Sequence, residues 1–226
     1  MKVTYYGHSC FAVEAAGRRL LFDPFVSANE LASGIDVEHI GADYIFLSHG
    51  HADHVADAVA IALWTKAQVL CNFELSLWLA KQGVKNVLAM NHGGTARLEV
   101  GKAKMVPAVH SSSLPDGSYG GNPCGWVITA SEGNFYYAGD TALTTDMKII
   151  GETTQLRFAA LPIGDTFTMG VDDAVVAAEW VGCSHVLGVH YDTSPPIRID
   201  ARAALERFAR AGKTLHLVPI GGSVNL

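Results

Sequence analysis

The chain has 226 residues, is 49% hydrophobic and 17% charged, and carries a formal charge of −6. It can bury a sizeable core, but no stretch approaches the roughly 18–20 uncharged apolar residues that a membrane span needs. Its 16 Lys and Arg form no run, which disfavours long nucleic acid as a partner.

The N-terminal MKVTYYGHSCF has no apolar segment ahead of a small-residue cleavage site. The expectation is a cytoplasmic protein, one domain over 1–226, acting on a small molecule and not on a membrane; a homo-oligomer stays open. The four cysteines, Cys10, Cys71, Cys124 and Cys183, are spread singly among apolar or small neighbours. With no C-x-x-C pair they read as buried, reduced thiols.

KVTYY (2–6), CFAVEA (10–15) and RRLLFD (18–23) predict three strands, the last two joined as a hairpin at Ala16-Gly17. Residues 26–38 read as a loop and DYIFLS (43–48) as a buried strand. Residues 53–66 have helical spacing, 67–71 form a strand, and 74–82 form a helix ending at Gly83. Strands follow at 97–100, 103–109, 125–130 and 134–138, with a long Gly- and Ser-rich loop from His110 to Gly125. A loop of that length is a candidate for function. The last third alternates: strands at 158–162, 185–189 and 214–217, and helices at 172–181 and 201–211. This order predicts an α+β fold, two mixed β-sheets packed face to face with helices outside. The N-terminal hairpin argues against a doubly wound parallel sheet.

The chemistry concentrates in FLSHGHADHVAD, residues 46–57, which holds the pattern H-x-H-x-D-H. Chance would place that pattern in roughly one chain per thousand of this composition. On extended backbone, side chains at i and i+2 share a direction. His49 and His51 can therefore aim at one point, while Asp53 and His54 reach a second where the chain turns into a helix. Imidazole suits zinc, copper, iron and nickel, and an added carboxylate makes a harder second site. A capped helix start needs one polar residue there and not three histidines. Three further candidates each follow an apolar strand: His110 after AKMVPAV, Asp140 after FYYAG, and His190 after HVLGV. Strand ends on one edge of a sandwich could bring them together.

This order of motifs resembles the metallo-beta-lactamase superfamily. More narrowly, TYYGHSCF, LFDP (21–24), AGDT (138–141), IGDTFTMG (163–170) and VHYDT (189–193) resemble the UlaG-like, UPF0173 metal-dependent hydrolases. The resemblance covers nearly the whole chain and implies an αββα sandwich, the metallo-beta-lactamase fold. By position, it implies that His49, His51 and His110 bind one divalent ion, that Asp53, His54 and His190 bind a second, and that Asp140 bridges. Zinc is the expected metal, with manganese the other choice. It further implies a binuclear hydrolase in which a metal-bridging hydroxide attacks a small ester-type substrate, a phosphodiester or a lactone. An iron-dependent redox enzyme on the same fold, or a scaffold with structural metals, are the alternatives. Two departures stand out. VAD follows His54 where many relatives carry Gly-Gly, and the inserted domain of RNA-cleaving members is absent.

Four other residues are candidates beside the metals. His8, in the GHS that recurs in the family, reads as a substrate contact. Asp23, before Pro24, reads as an acceptor orienting a ligand histidine. Asp165 is either a turn carboxylate beside Gly164 or a substrate contact and proton donor. Tyr191 either offers its hydroxyl to an oxyanion or packs. Asp53 is counted among the catalytic groups as well as the ligands. His39, His92, His185 and His216 read as structural.

Overall fold

A computed structural model describes residues 1–226. Alternation along the strands sets its layers. In β2 (Cys10–Ala15), which pairs with β1 (Lys2–Gly7), Phe11 and Val13 join one buried cluster and Cys10 and Ala12 another. Both faces of the strand are therefore covered, one by the opposing sheet and one by helices.

The first sheet continues with β3 (Arg18–Phe22), β4 (Tyr44–Phe46), β5 (Gln68–Asn72) and β6 (Val87–Met90). The second comprises β7 (Thr95–Leu98), β8 (Gly101–Pro107), β9 (Cys124–Ala130), β10 (Gly133–Tyr137), β11 (Leu156–Pro162), β12 (His185–Val189) and β13 (Thr214–His216). The last strand, β14 (Ser223–Asn225), returns to the first sheet and pairs with β1, so each sheet has seven strands. Each starts antiparallel and turns parallel, at β3–β4 in the first and β10–β11 in the second. Between them lies a core of 25 buried residues containing an aromatic stack. Phe11 lies on Phe22 at 4.7 Å, Phe22 on Phe46 at 4.9 Å, and Phe46 meets Trp126 edge-on at 5.2 Å across the layers. Such pairs add about 0.5–1.5 kcal/mol each beyond area burial.

Helices α1 (Ala52–Val55), α2 (Ala58–Thr65) and α3 (Phe73–Lys81) cover the first sheet; α4 (Asp146–Thr153), α5 (Val171–Trp180) and α6 (Ala201–Arg210) cover the second. This is the expected arrangement of two mixed sheets with helices outside. No helix is long and apolar enough to cross a membrane. All four cysteines are buried and free.

The elements differ from the sequence expectation in five places. The helix expected over 53–66 is broken into α1 and α2 at Asp57, whose carboxylate accepts from the Val26 and Ser27 amides at 2.7 and 3.0 Å. The strand expected at 97–100 lies at 95–98. β6, β14 and α4 carry no clear period; β6 is a half-exposed edge strand. Gly151 interrupts the α4 pattern because a Cβ there would lie 2.3 Å from the Trp180 carbonyl oxygen of α5.

Candidate metal centre

β1, β3, β4, β8, β10, β11 and β12 all release the chain at one edge of the sandwich. Their next residues are the chemically active ones: His8, Asp23, the 48–54 segment, His110, Asp140, Asp165 and His190. The turns there are tight. His8, Asp23, Asp165 and His190 have positive φ, as does Gly139 at +64°. A Cβ on Gly139 would meet the Cys124 carbonyl oxygen at 2.5 Å and the Ser48 Cβ, just beyond β4 of the other sheet, at 2.9 Å, so glycine lets β10 deliver Asp140 beside that sheet.

The side chains fall into two groups. His49, His51 and His110 bring ring nitrogens within 4.8 Å of one another, and the ring nitrogens of His8, His54 and His190 and a carboxylate oxygen of Asp53 do the same. Asp140 lies between the groups. Its Oδ2 is 2.9 Å from His190 Nε2, 3.2 Å from His54 Nε2, 3.7 Å from His110 Nε2 and 4.0 Å from His49 Nε2. His49, His54 and Asp140 are fully or almost fully buried.

The electrostatics differ between the groups. Burial holds His49, His51 and His110 below the usual histidine range, so this trio is neutral, as metal ligation requires. Burial also opposes charge on His54, but the carboxylates of Asp140 and Asp23 outweigh it and raise that ring well above the usual range. Burial works against charge on Asp140 too, yet His54 and His190 hold it well below the carboxylate range.

Asp23 is the best-served carboxylate in the protein. It accepts from the Ser48 amide at 2.7 Å, the Ser48 hydroxyl at 2.5 Å and the Tyr137 hydroxyl at 2.6 Å. It also receives His54 Nδ1 at 2.7 Å, which turns His54 Nε2 toward Asp140. From there the Asp23 carboxylate holds the orientation of the His54 ring.

A metal fits these residues. Asp140 Oδ1 is buried without a hydrogen-bond partner, on the carboxylate whose Oδ2 faces both groups. Such atoms are rare and costly unless something else satisfies them. The donors are imidazole nitrogen and carboxylate oxygen, the set that binds zinc and similar ions.

Comparison with known proteins agrees. The family model of the beta-lactamase superfamily domain matches residues 18–191. A UPF0173 metal-dependent hydrolase of Methylacidiphilum infernorum is 53% identical over 208 residues, 92% of each chain. One from Flavobacterium johnsoniae is 47% identical over 226 residues, the full length of both. The chain belongs to the UPF0173 metal-dependent hydrolases of the beta-lactamase superfamily. A solved structure, Igni18, a metallo hydrolase of Ignicoccus hospitalis, superposes with a TM-score of 0.89 at 32% identity, covering 99% of this chain and 97% of that one.

The remaining candidates of this UPF0173 chain separate. His8 reaches the site, but as a partner of Asp53: Nε2 lies 3.0 Å from Asp53 Oδ2 and Nδ1 lies 2.6 Å from Thr193 Oγ1. Burial pushes Asp53 up, but the His8 hydrogen bond and the His54 charge outweigh it and leave the carboxylate far below its usual range. Tyr191 is not brought to the cavity. It stacks on Tyr5 at 6.2 Å and packs against the core, and burial raises its hydroxyl to about 12. Asp165 also stays out of the cavity and builds a turn, with its Oδ1 accepting from the Thr166 amide at 2.7 Å.

The His110–Gly125 loop is pinned down rather than free. Ser112 Oγ accepts from the Gly50 amide at 3.1 Å, Asn72 donates to the Gly120 carbonyl at 2.8 Å, and beyond His110 only Ser111 lines the cavity. His39, His92, His185 and His216 lie elsewhere; His185 Nδ1 and His216 Nε2 face each other at 3.2 Å. Sequence reading missed Thr193, Phe167, Ser194 and Ile197, the last three of which line the cavity. Thr193 and Phe167 stand within the VHYDT and IGDTFTMG motifs, but neither residue type nor spacing marked them there, and Ser194 and Ile197 lie outside every motif.

Proposed function

We propose that the protein is a binuclear hydrolase of a small substrate with an ester-type bond, a phosphodiester or a lactone. The carrying observation is Asp140, whose Oδ2 lies within 4.0 Å of imidazole nitrogens from both groups. His49, His51 and His110 would hold one divalent ion; Asp53, His54 and His190 would hold the other, with Asp140 shared. Zinc suits the first trio, three imidazoles with one open position; manganese is the other choice. When bound, two such ions supply a water acidic enough to attack at neutral pH and Lewis acidity toward the bond being broken.

The chain's own groups do the rest. Asp23 and Asp140 fix the His54 ring. His8 holds one oxygen of Asp53, leaving the other for ligation or for taking a proton. The cavity is about 280 Å³, which suits a small molecule. The test is metal content per chain together with hydrolysis of a phosphodiester and a lactone panel, for wild type and Asp140→Asn. About two zinc or manganese ions and turnover lost in the variant are expected. Coloured, iron-bearing protein that hydrolyses nothing would move the reading to redox chemistry. Function retained in a folded Asp140→Asn would make the metals structural.

A further inference from the structure

The wall of the cavity opposite the ligands is built by two segments that no ligand belongs to. One is the turn Gly164–Gly170, the other the turn at Ser194–Ile197. Thr166 Oγ1 donates to the Pro196 carbonyl at 2.9 Å and ties them together. The first turn is unusually constrained. Asp165 and Thr166 are consecutive non-glycine residues with φ of +63° and +60°. The Phe167 amide donates to the Asp165 carbonyl at 2.6 Å, and the Asp165 amide donates to the Met169 carbonyl at 3.1 Å. Gly170 packs against the Asp165 carboxyl, which a Cβ would meet at 3.2 Å. Strained backbone of this kind persists where surrounding contacts over-determine it.

What the turn presents is Phe167. Its side chain is 58% exposed and lines the cavity. Apart from the His and Asp side chains of the metal centre, the lining is Ser111, Ser194, Phe167 and Ile197, with no Lys or Arg. Arg198 and Arg207 line a separate hollow behind Asp165, where Arg207 bonds Asp172. A second negative charge on a substrate, away from the bond that is cut, would find no Lys or Arg here to pair with, only the Ser111 and Ser194 hydroxyls. An apolar group would instead cover the exposed ring.

We propose that Phe167, backed by the buried Ile197, forms the seat for an uncharged, apolar flank of the substrate, an aryl or branched alkyl group beside the scissile bond. This rests on the hydrolase reading above and narrows it. Sugar phosphates and other substrates with a second anionic group are disfavoured. Asp165 is a positioning residue for Phe167.

The test compares three lactones on the zinc-loaded protein: δ-valerolactone, its aryl-fused counterpart dihydrocoumarin, and a carboxylate-bearing δ-lactone. Wild type is expected to favour dihydrocoumarin over the carboxylate by at least about tenfold in kcat/KM. Phe167→Ala is expected to shrink the preference for dihydrocoumarin over δ-valerolactone about tenfold, through KM, with zinc content kept, and Phe167→Tyr to restore it. A preference for the carboxylate, or an unchanged ratio in Phe167→Ala, overturns the seat. Saturation-transfer NMR with 2-phenylethanol needs no turnover. Ring saturation in wild type that is lost in Phe167→Ala upholds the seat even if no lactone is cut, in which case only the bond class fails. No ring saturation in wild type overturns the seat itself.

Discussion

His8 Nε2 lies 3.0 Å from Asp53 Oδ2, and the same ring meets Thr193 Oγ1 through Nδ1 at 2.6 Å. Burial lowers the His8 pKa to about 4, so the ring is neutral at pH 7. A neutral imidazole has one N–H, and a carboxylate only accepts. Nε2–H therefore donates to Asp53 and Nδ1 accepts from the Thr193 hydroxyl. The carboxylate fixes the tautomer, and the Thr193 hydroxyl, donating to Nδ1, holds the ring in place against it. His8→Ala is expected to weaken the second ion about 10- to 100-fold, the usual effect of losing a group that orients a ligand. Thr193→Val should weaken it less. Competition titration against a zinc chelator measures both, and an unchanged second affinity in His8→Ala would refute the assignment.

Asp23 gathers three donors besides His54, all buried. Asp23→Ala leaves the Ser48 and Tyr137 groups and the His54 ring without their acceptor. Stranding buried donors and half of a buried ion pair costs about 3 kcal/mol or more. Urea unfolding of metal-free protein should show a loss of that size. Asp23→Asn should cost less stability, yet its amide cannot accept from every one of these donors. A variant within 0.5 kcal/mol of wild type, roughly the range of ordinary surface changes, would mean that the network carries little.

The raised His54 and depressed Asp140 give the metal-free protein a definite pH response. His54 contributes stability that is complete below its unfolded pKa and lost as pH rises through its folded one. Asp140 contributes stability present above its unfolded pKa and lost as pH falls through its folded one. Metal-free stability should therefore fall on the alkaline side, above the ordinary histidine range, and again in acid. A metal at His54 Nε2 must displace the proton held there. Binding at pH 7 should release about one proton from His54, in addition to any lost by metal-bound water, while the ligands His49, His51 and His110 themselves release none. Calorimetry in two buffers of different ionisation enthalpy counts these protons. Release of none for either ion would contradict a charged His54.

The grouping of the candidate ligands was legible from sequence because each segment that carries them follows a short apolar run that reads as a strand. H-x-H-x-D-H after IFLS, His110, Asp140 and His190 all obey that rule, and one edge of the sandwich collects them. Tyr191 was not legible. Its neighbour His190 has φ of +54°, and Asp192 of +64°, so the chain reverses and strand alternation no longer says where Tyr191 points. It turns back to Tyr5 instead. Phe167 was hidden for a different reason. A lone aromatic in a polar turn has no period, and only the packing of two turns against each other puts it at the cavity. α4 was hidden by Gly151, which lowers helical propensity locally but admits the Trp180 carbonyl of α5.

Asp165 offers the last prediction, because its part is played through backbone rather than through the metals. Its carboxylate accepts from the Thr166 amide at 2.7 Å and packs on Gly170. Its φ of +63° is a conformation that Asp and Asn tolerate better than Ala. Asp165→Ala is therefore expected to loosen the turn carrying Phe167, and Asp165→Asn to keep it. The two should hold the same zinc content, since Asp165 does not line the cavity. Asp165→Ala should raise KM for dihydrocoumarin about threefold, less than Phe167→Ala does because the ring is still present. A proton donor at this position would behave otherwise: Asn and Ala would then lower kcat alike and flatten one limb of the pH profile. Steady-state kinetics of the two variants across pH separates a turn residue from an acid.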